Sequence, residues 1–127
     1  MGAKRILAVE NNQLVLSFLQ AGLVTAGYDV DVASNGREAL EKLDHAAYDL
    51  IISDMRMPEL DGPGLWRALE ARRSDALERL LFLSTPGSME NHRTFLDETR
   101  VPILTKPVDF EDLRSTVERM IGSKDRP

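Results

Sequence analysis

The sequence predicts an α/β fold in which five parallel strands carry helices on both faces. Three observations predict it. Short apolar runs alternate with longer stretches of helical periodicity, the signature of repeated strand–helix–strand units. Most of those runs are continuously apolar, as expected of strands buried on both faces. The chain has 127 residues, which suits one domain with a core of its own.

Ile6-Leu7-Ala8-Val9 is the first strand. Asn12 caps the helix that follows, whose predicted inner face holds Val15, Phe18, Leu19, Gly22, Leu23 and Ala26 at helical spacing. Gly27 ends it, where a left-handed residue is useful. Tyr28 to Ala33 alternates like a strand nearer an edge. Asn35-Gly36 turns the chain into a second helix, with Ala39, Leu40, Leu43 and Ala47 inward. Leu50-Ile51-Ile52 is the third strand and runs straight into Asp54. Arg56 to Pro63, with two prolines and Gly62, is predicted as loop. The third helix turns Leu65, Ala68 and Leu69 inward.

Leu80 to Leu83 is the fourth strand, ending at Ser84, and Pro86-Gly87 is predicted to break the chain. A fourth helix is expected over roughly 89–98 and a fifth strand over Val101 to Thr105, ending at Lys106-Pro107. The last helix, capped by Asp109, carries Phe110, Leu113, Val117, Met120 and Ile121 on one stripe. Residues 1–122 are expected to form the domain, with 123–127 a polar tail or linker remnant. Right-handed crossovers leave few topologies. The leading one is the flavodoxin-like strand order 2-1-3-4-5, a (βα)5 three-layer sandwich.

Composition removes several function classes. The chain has no cysteine, which excludes disulfides, thiolate metal sites and cysteine nucleophiles and makes a reducing cytoplasm the easiest home. A net charge of −5 argues against a general nucleic-acid surface. No apolar run is long enough to cross a bilayer, and no signal-peptide pattern opens the chain. No Gly-rich phosphate loop follows the first strand, and no Gly-x-Ser-x-Gly or Ser-His-Asp set is present, so a flavin-binding or hydrolytic enzyme is a weak reading.

In sheets of this order ligands sit beyond the carboxyl ends of the strands. Those ends carry Glu10-Asn11, Asp54, Ser84-Thr85 and Lys106. Carboxylates, an amide, hydroxyls and an ammonium around one pocket can hold a hard divalent cation and stabilise a phosphoryl group.

Over nearly its whole length the chain resembles the receiver domain of two-component response regulators. The resemblance rests on Ile6 to Asn11, on Asp54-Met55-Arg56-Met57-Pro58-Glu59-Leu60-Asp61-Gly62, on Phe82-Leu83-Ser84, and on Ile103-Leu104-Thr105-Lys106-Pro107, in order and at the right spacing. It implies that Asp54 accepts a phosphoryl group from a phosphohistidine, in a domain that signals rather than acts as an enzyme. It implies Mg²⁺ held by Asp54, the Arg56 carbonyl and the Glu10-Asn11 pair at the end of the first strand. Lys106 and Ser84 would contact phosphoryl oxygens, with the amides of Met55 and Thr85 as further donors, and the Lys106-Pro107 bond would be cis.

Four positions depart from the pattern. Asn11 stands where a second acidic residue is usual, which removes a charge and should weaken Mg²⁺ binding. Glu10 is one methylene longer than the usual aspartate and could reach the metal directly or through water. Ile103 stands where an aromatic switch residue is common, and Thr85 is bulkier than the usual Ala or Gly.

The remaining singled-out residues have plainer readings. Asp61 and Gly62 are expected to be structural loop residues, His45 and His92 surface residues without a catalytic role, Trp66 a partly exposed helix residue, and Arg72-Arg73 a solvated helix end. The implied partner is a histidine kinase or histidine-phosphotransfer domain docking beside the first helix. A homodimer could use the face of the fourth helix, fifth strand and last helix. No helix-turn-helix follows the last helix in these residues, so the chain reads as a stand-alone receiver or one cut from a larger protein, such as a hybrid histidine kinase. The alternative function, motivated by Asn11 and Ile103, is a degenerate receiver that binds partners without phosphorylation.

Overall fold

The computed structural model describes residues 2–125, without the side chains of 123–125. Five parallel strands form one sheet in the order β2-β1-β3-β4-β5. They are β1 (Arg5–Val9), β2 (Asp29–Ala33), β3 (Leu50–Asp54), β4 (Leu80–Ser84) and β5 (Ile103–Thr105). The helices are α1 (Gln13–Thr25), α2 (Gly36–His45), α3 (Gly62–Arg72), α4 (Pro86–Asn91), α5 (Arg93–Thr99) and α6 (Phe110–Asp125), with a short 3₁₀ helix at Ser74–Arg79. The predicted fold class, strand order and alternation of elements are therefore observed.

Side chains alternate across the sheet and build one core on each face. Ile6, Ala8, Leu50, Ile52, Leu81 and Leu83 pack under α1 and α6, against Leu19, Leu23, Leu113 and Val117. Leu7, Val9, Ile51 and Phe82 pack on the other face with Leu43, Leu65 and Leu69, and Phe95 of α5 closes over them. Burying both faces is why the strand runs are continuously apolar.

Local chemistry sets most helix starts. Asn12 Oδ1 accepts from the amides of Leu14 and Val15. Asn35 Oδ1 accepts from Glu38 N, while Glu38 Oε1 accepts from Ser34 N, a reciprocal cap. Asp109 Oδ2 accepts from Asp112 N at 3.3 Å. Gly27 follows α1 at φ 104°.

Several sequence expectations are corrected. The buried face of α1 is Leu16, Leu19 and Leu23, whereas Phe18 is 40% exposed and Ala26 is exposed. Ala47 lies beyond α2 and is exposed. Asp61 caps α3, accepting from Gly64 N, and α3 begins at Gly62 with Pro63 in its first turn, where a proline loses no hydrogen bond. Asp61 and Gly62 are thus a helix start rather than loop. A Cβ on Gly62 would lie 2.9 Å from Met55 Sδ and 3.1 Å from Met55 Cα, so this turn admits no side chain.

Pro86-Gly87 does not break the chain but opens α4, with Thr85 Oγ1 accepting from Ser88 N as its cap. The expected single fourth helix is two short ones, because His92 leaves helical geometry between them (φ −116°, ψ 24°). Strand five is shorter than expected, beginning at Ile103. Arg72 and Arg73 do end α3, and Arg72 is exposed as expected, but Arg73 is partly buried and both have partners: Arg72 pairs with Asp44 at 2.7 Å and Arg73 donates to the Leu43 carbonyl at 2.6 Å, tying α3 to α2. The last helix continues through Ser123–Asp125, three residues into the stretch read as a polar tail. Arg126 and Pro127 lie outside the described residues. No helix among the described residues is long and apolar enough to cross a membrane.

Candidate functional site

Parallel register brings four strand ends to one edge. Asp54 is the last residue of β3 and stands beside Leu83 of β4. Ser84 ends β4 and stands beside Thr105. Glu10 leaves β1 with its amide donating to the Ala33 carbonyl, and Lys106 leaves β5 with its amide donating to the Ser84 carbonyl. The backbone ladder thus delivers each group before any side-chain contact is made.

Lys106 Nζ sits between two carboxylates, 2.8 Å from Glu10 Oε1 and 3.0 Å from Asp54 Oδ2. Glu10 is 1% exposed and Asp54 7%. Burial pushes the Glu10 carboxyl above its ordinary range, only partly offset by Lys106 and the Asn12 amide, and Asp54's charge adds to the rise. Burial works against the Lys106 ammonium, but its hydrogen bonds to Glu10 and Asp54 prevail and hold it above the usual lysine value. The site is an ammonium shared by two carboxylates, a strong charge-assisted arrangement.

Ser84 is 1% exposed, and its hydroxyl donates to the Thr85 carbonyl at 3.1 Å. Arg56 N donates to Asp54 Oδ1 at 3.3 Å. The expectation that the Met55 amide faces the site is corrected: it donates to the Leu83 carbonyl at 3.0 Å, and its side chain is fully buried in the core. An amide spent in the ladder cannot turn to a ligand, and the next one, Arg56 N, faces the carboxylate instead. The Lys106-Pro107 bond is cis, as expected.

Asn11 is exposed and lines a depression of about 520 Å³ with Met55, Arg56, Met57, Pro58, Asp61 and His92. Among the described residues no group of three or more His, Asp or Glu could hold a metal by itself. The residues that would offer oxygens to one are Asn11 and Arg56, which line the depression, and Asp54, whose Oδ1 accepts from Arg56 N. That set fits Mg²⁺, which takes one or two carboxylates and keeps several waters. It is short of one charge, as Asn11 leads one to expect.

Sequence reasoning missed the clasp of Lys106 by Glu10; the extra methylene of Glu10 was the available signal. It also placed His92 on the surface. His92 is half-buried, with Nδ1 2.9 Å from the Ser88 carbonyl, and borders the depression. Ile103 packs on the core opposite Phe82. Phe95 stands edge-on to Trp66 at 5.9 Å, so the half-buried Trp66 is part of an aromatic contact between α3 and α5.

The response regulator receiver domain family matches residues 6–118. The transcriptional regulatory protein PcoR of Escherichia coli is 37% identical over 119 residues, covering 93% of this chain and 51% of PcoR. The chain thus spans about half the length of this relative. The signal receiver domain of a signal transduction histidine kinase from Syntrophus aciditrophicus superposes with a TM-score of 0.84 at 32% identity, covering 98% of this chain and 95% of that one. The receiver domain of the sensor histidine kinase PA1611 from Pseudomonas aeruginosa, which has a magnesium ion coordinated in its active-site cleft, gives a TM-score of 0.83 at 27% identity, covering 95% and 99%.

Proposed function

The chain belongs to the response regulator receiver domain family, and from that premise we propose that it is a phosphoacceptor switch whose acceptor is Asp54. The observation that carries the reading is the side-by-side placement of Asp54, Lys106 and Ser84 at one sheet edge. The Asp54 carboxylate attacks the phosphorus of a phosphohistidine; the P–N bond breaks, an aspartyl phosphate forms, and the histidine leaves. Mg²⁺, when bound, neutralises charge between the carboxylate and the incoming phosphoryl oxygens. Asp54, Asn11 and the Arg56 carbonyl would hold it.

The chain's own groups do the rest. Lys106 has three N–H donors, two of them directed at Glu10 and Asp54, which leaves one for a phosphoryl oxygen. The Ser84 hydroxyl reaches a second oxygen by turning from the Thr85 carbonyl, and the amides of Arg56 and Thr85 add donors. Formation of that hydroxyl contact pulls on the start of α4, which Thr85 caps. The switch is then a shift between two arrangements of α4, α5, β5 and α6.

The phosphodonor is a histidine on a histidine-kinase or phosphotransfer helix. Leu14, Val15, Phe18, Pro107 and Val108 line an apolar groove that reaches Thr85 and Lys106, and Leu14 is 83% exposed. Such a groove suits the apolar face of a helix and opens beside the acceptor.

A small acyl phosphate with Mg²⁺, read by intact mass, tests the reading. The expected result is a gain of one phosphoryl group that disappears in Asp54→Asn. No gain on the parent chain, under conditions that label another receiver, overturns it. The phosphorylation-independent alternative rests on Asn11 and Ile103 alone; neither removes the acceptor, the hydroxyl or the lysine.

A further inference from the structure

We propose that the switch is confined to α4, which swings as a unit about His92 while α5 stays fixed on α3, and that the unpaired Ser88 hydroxyl biases α4 toward moving. The inference narrows the switch described above to one element and rests on the phosphoacceptor reading for its trigger. The observations for the hinge are separate. α4 and α5 follow one another with His92 alone between them. His92 departs from helical geometry (φ −116°, ψ 24°), and no side chain caps α5.

The two helices are held differently. No residue of α5 is fully buried, but Phe95 and Leu96 pack half-buried on the core. The Phe95 ring stands 5.9 Å from Trp66 of α3 and 6.1 Å from Phe82 of β4. α4 contributes no side chain to either apolar core. Met89 meets β5 only through its sulfur, 3.7 Å from Thr105 Oγ1. The one buried residue of α4 is Ser88, 3% exposed, and its hydroxyl has no partner among the described residues. A helix of 6 residues is too short to be stable by itself, so α4 keeps its place through the Thr85 cap and these few contacts.

The hydroxyl and the cap give the swing a bias and a trigger. A buried hydroxyl without a partner destabilises the arrangement that holds it, and an arrangement of α4 that pairs or exposes Ser88 Oγ removes that penalty. The trigger lies beside the cap. The Ser84 hydroxyl donates to the Thr85 carbonyl, and Thr85 Oγ1 accepts from Ser88 N. When the Ser84 hydroxyl turns to a phosphoryl oxygen, the Thr85 peptide loses that donor and moves with α4. Beyond His92 the aromatic contact to Trp66 stops the motion.

Amide hydrogen exchange in unphosphorylated, metal-free protein tests the hinge alone. Met89 N and His92 N donate to the Thr85 and Ser88 carbonyls, while Leu96 N and Arg100 N donate to the His92 and Leu96 carbonyls. The first pair should exchange at least about tenfold faster than the second; a smaller contrast overturns the proposal. Phosphorylation by a small acyl phosphate with Mg²⁺ tests the confinement. Amide shifts should change across α4 and stay in place across α5, with no change in the emission of Trp66, the chain's 1 tryptophan. Changes across α5 as large as those across α4, or a shifted Trp66 emission, overturn it. Ser88→Ala tests the bias. It should melt no lower than the parent and should cut the α4 shift changes at least about twofold at full phosphoryl occupancy, read by intact mass. A lower melting temperature, or shift changes of parental size, overturns the role of Ser88. No phosphoryl uptake by the parent refutes the phosphoacceptor reading, and the exchange contrast then still decides whether α4 is hinged at His92.

Discussion

The two ends of the sheet both carry charged clusters, and they are built differently. At the carboxyl end, Lys106 lies between Glu10 and Asp54, all three largely withdrawn from water. At the amino end, Tyr48 donates to Asp31 Oδ2 at 2.6 Å, Arg5 pairs with the same oxygen at 3.1 Å, and the Arg5 guanidinium lies 4.9 Å above the Tyr48 ring. Arg5 N also donates to Asp49. Arg5 and Asp31 are nearly half exposed, so their charges cost little to keep, and every contact joins elements that must pack anyway. The carboxyl end instead crowds two buried carboxylates on one ammonium and leaves Asn11 and Arg56 lining a depression beside them. The amino-end cluster reads as a structural clamp and the carboxyl-end cluster as a site held short of full satisfaction, where chemistry has room to occur.

The largest expected effect breaks the comparison at the carboxyl end. Asp54→Asn should abolish phosphoryl uptake entirely by intact mass while changing unfolding free energy by no more than about 1 kcal/mol. A variant that unfolds instead would make Asp54 as structural as Asp31.

Tyr48→Phe is the mirror experiment. It removes a hydrogen bond to a charged acceptor, so denaturant unfolding should lose roughly 1.5–3 kcal/mol, with phosphorylation at the parent rate. Alkali probes the same clamp. Burial, with help from the Asp31 hydrogen bond and charge, pushes the Tyr48 hydroxyl from 10.0 up to about 12. Between those values the unfolded chain holds fewer protons than the folded one, so stability falls as pH rises. The contribution is complete below about pH 10 and is lost by about pH 12. Melting midpoints across that window should fall less steeply in Tyr48→Phe; a residual slope is expected from Tyr28, which burial also raises.

Asn11→Asp sharpens the contrast from the other side. Returning a carboxylate to the depression should tighten Mg²⁺ on the order of tenfold in a calorimetric titration, since ligand charge tunes affinity. No tightening would place the metal away from Asn11. The smallest effect is expected at an exposed pair. Arg114→Ala removes contacts to Glu111 and Glu118 on the surface of α6 and should cost less than about 1 kcal/mol with no change in Mg²⁺ binding or phosphorylation.

Much of this was legible in the residues. Continuous apolar runs specify strands covered on both faces, and helix caps such as Asn12, Asn35 and Asp109 act through atoms two or three residues away, so their meaning is local. Where local signals competed, the reading failed. Phe18 has helical spacing with Leu19 and Leu23, yet Leu16 takes the inner face, because the sheet below meets only a narrow stripe of α1. Pro86 and Gly87 read as a break, but a proline in the first turn after a Thr cap starts a helix as readily as it ends one. The interruption at His92 has no proline or glycine to announce it.

The motif residues placed Asp54, Ser84 and Lys106 at strand ends, and strand order then required them to meet, because parallel strands in one sheet share an edge. What the residues could not decide was the direction and pairing of each side chain once there. That Met55 N is spent on Leu83, 28 positions away, and that Glu10 turns to Lys106, 96 positions away, depend on distances between groups far apart in the chain; with Met55 N so placed, it is Arg56 N that faces the carboxylate. Such distances are properties of the packed sheet. The sequence by itself determined which chemistry arrives at the edge; the tertiary structure decided which charge neutralises which, and so which oxygens remain for a cation and a phosphoryl group.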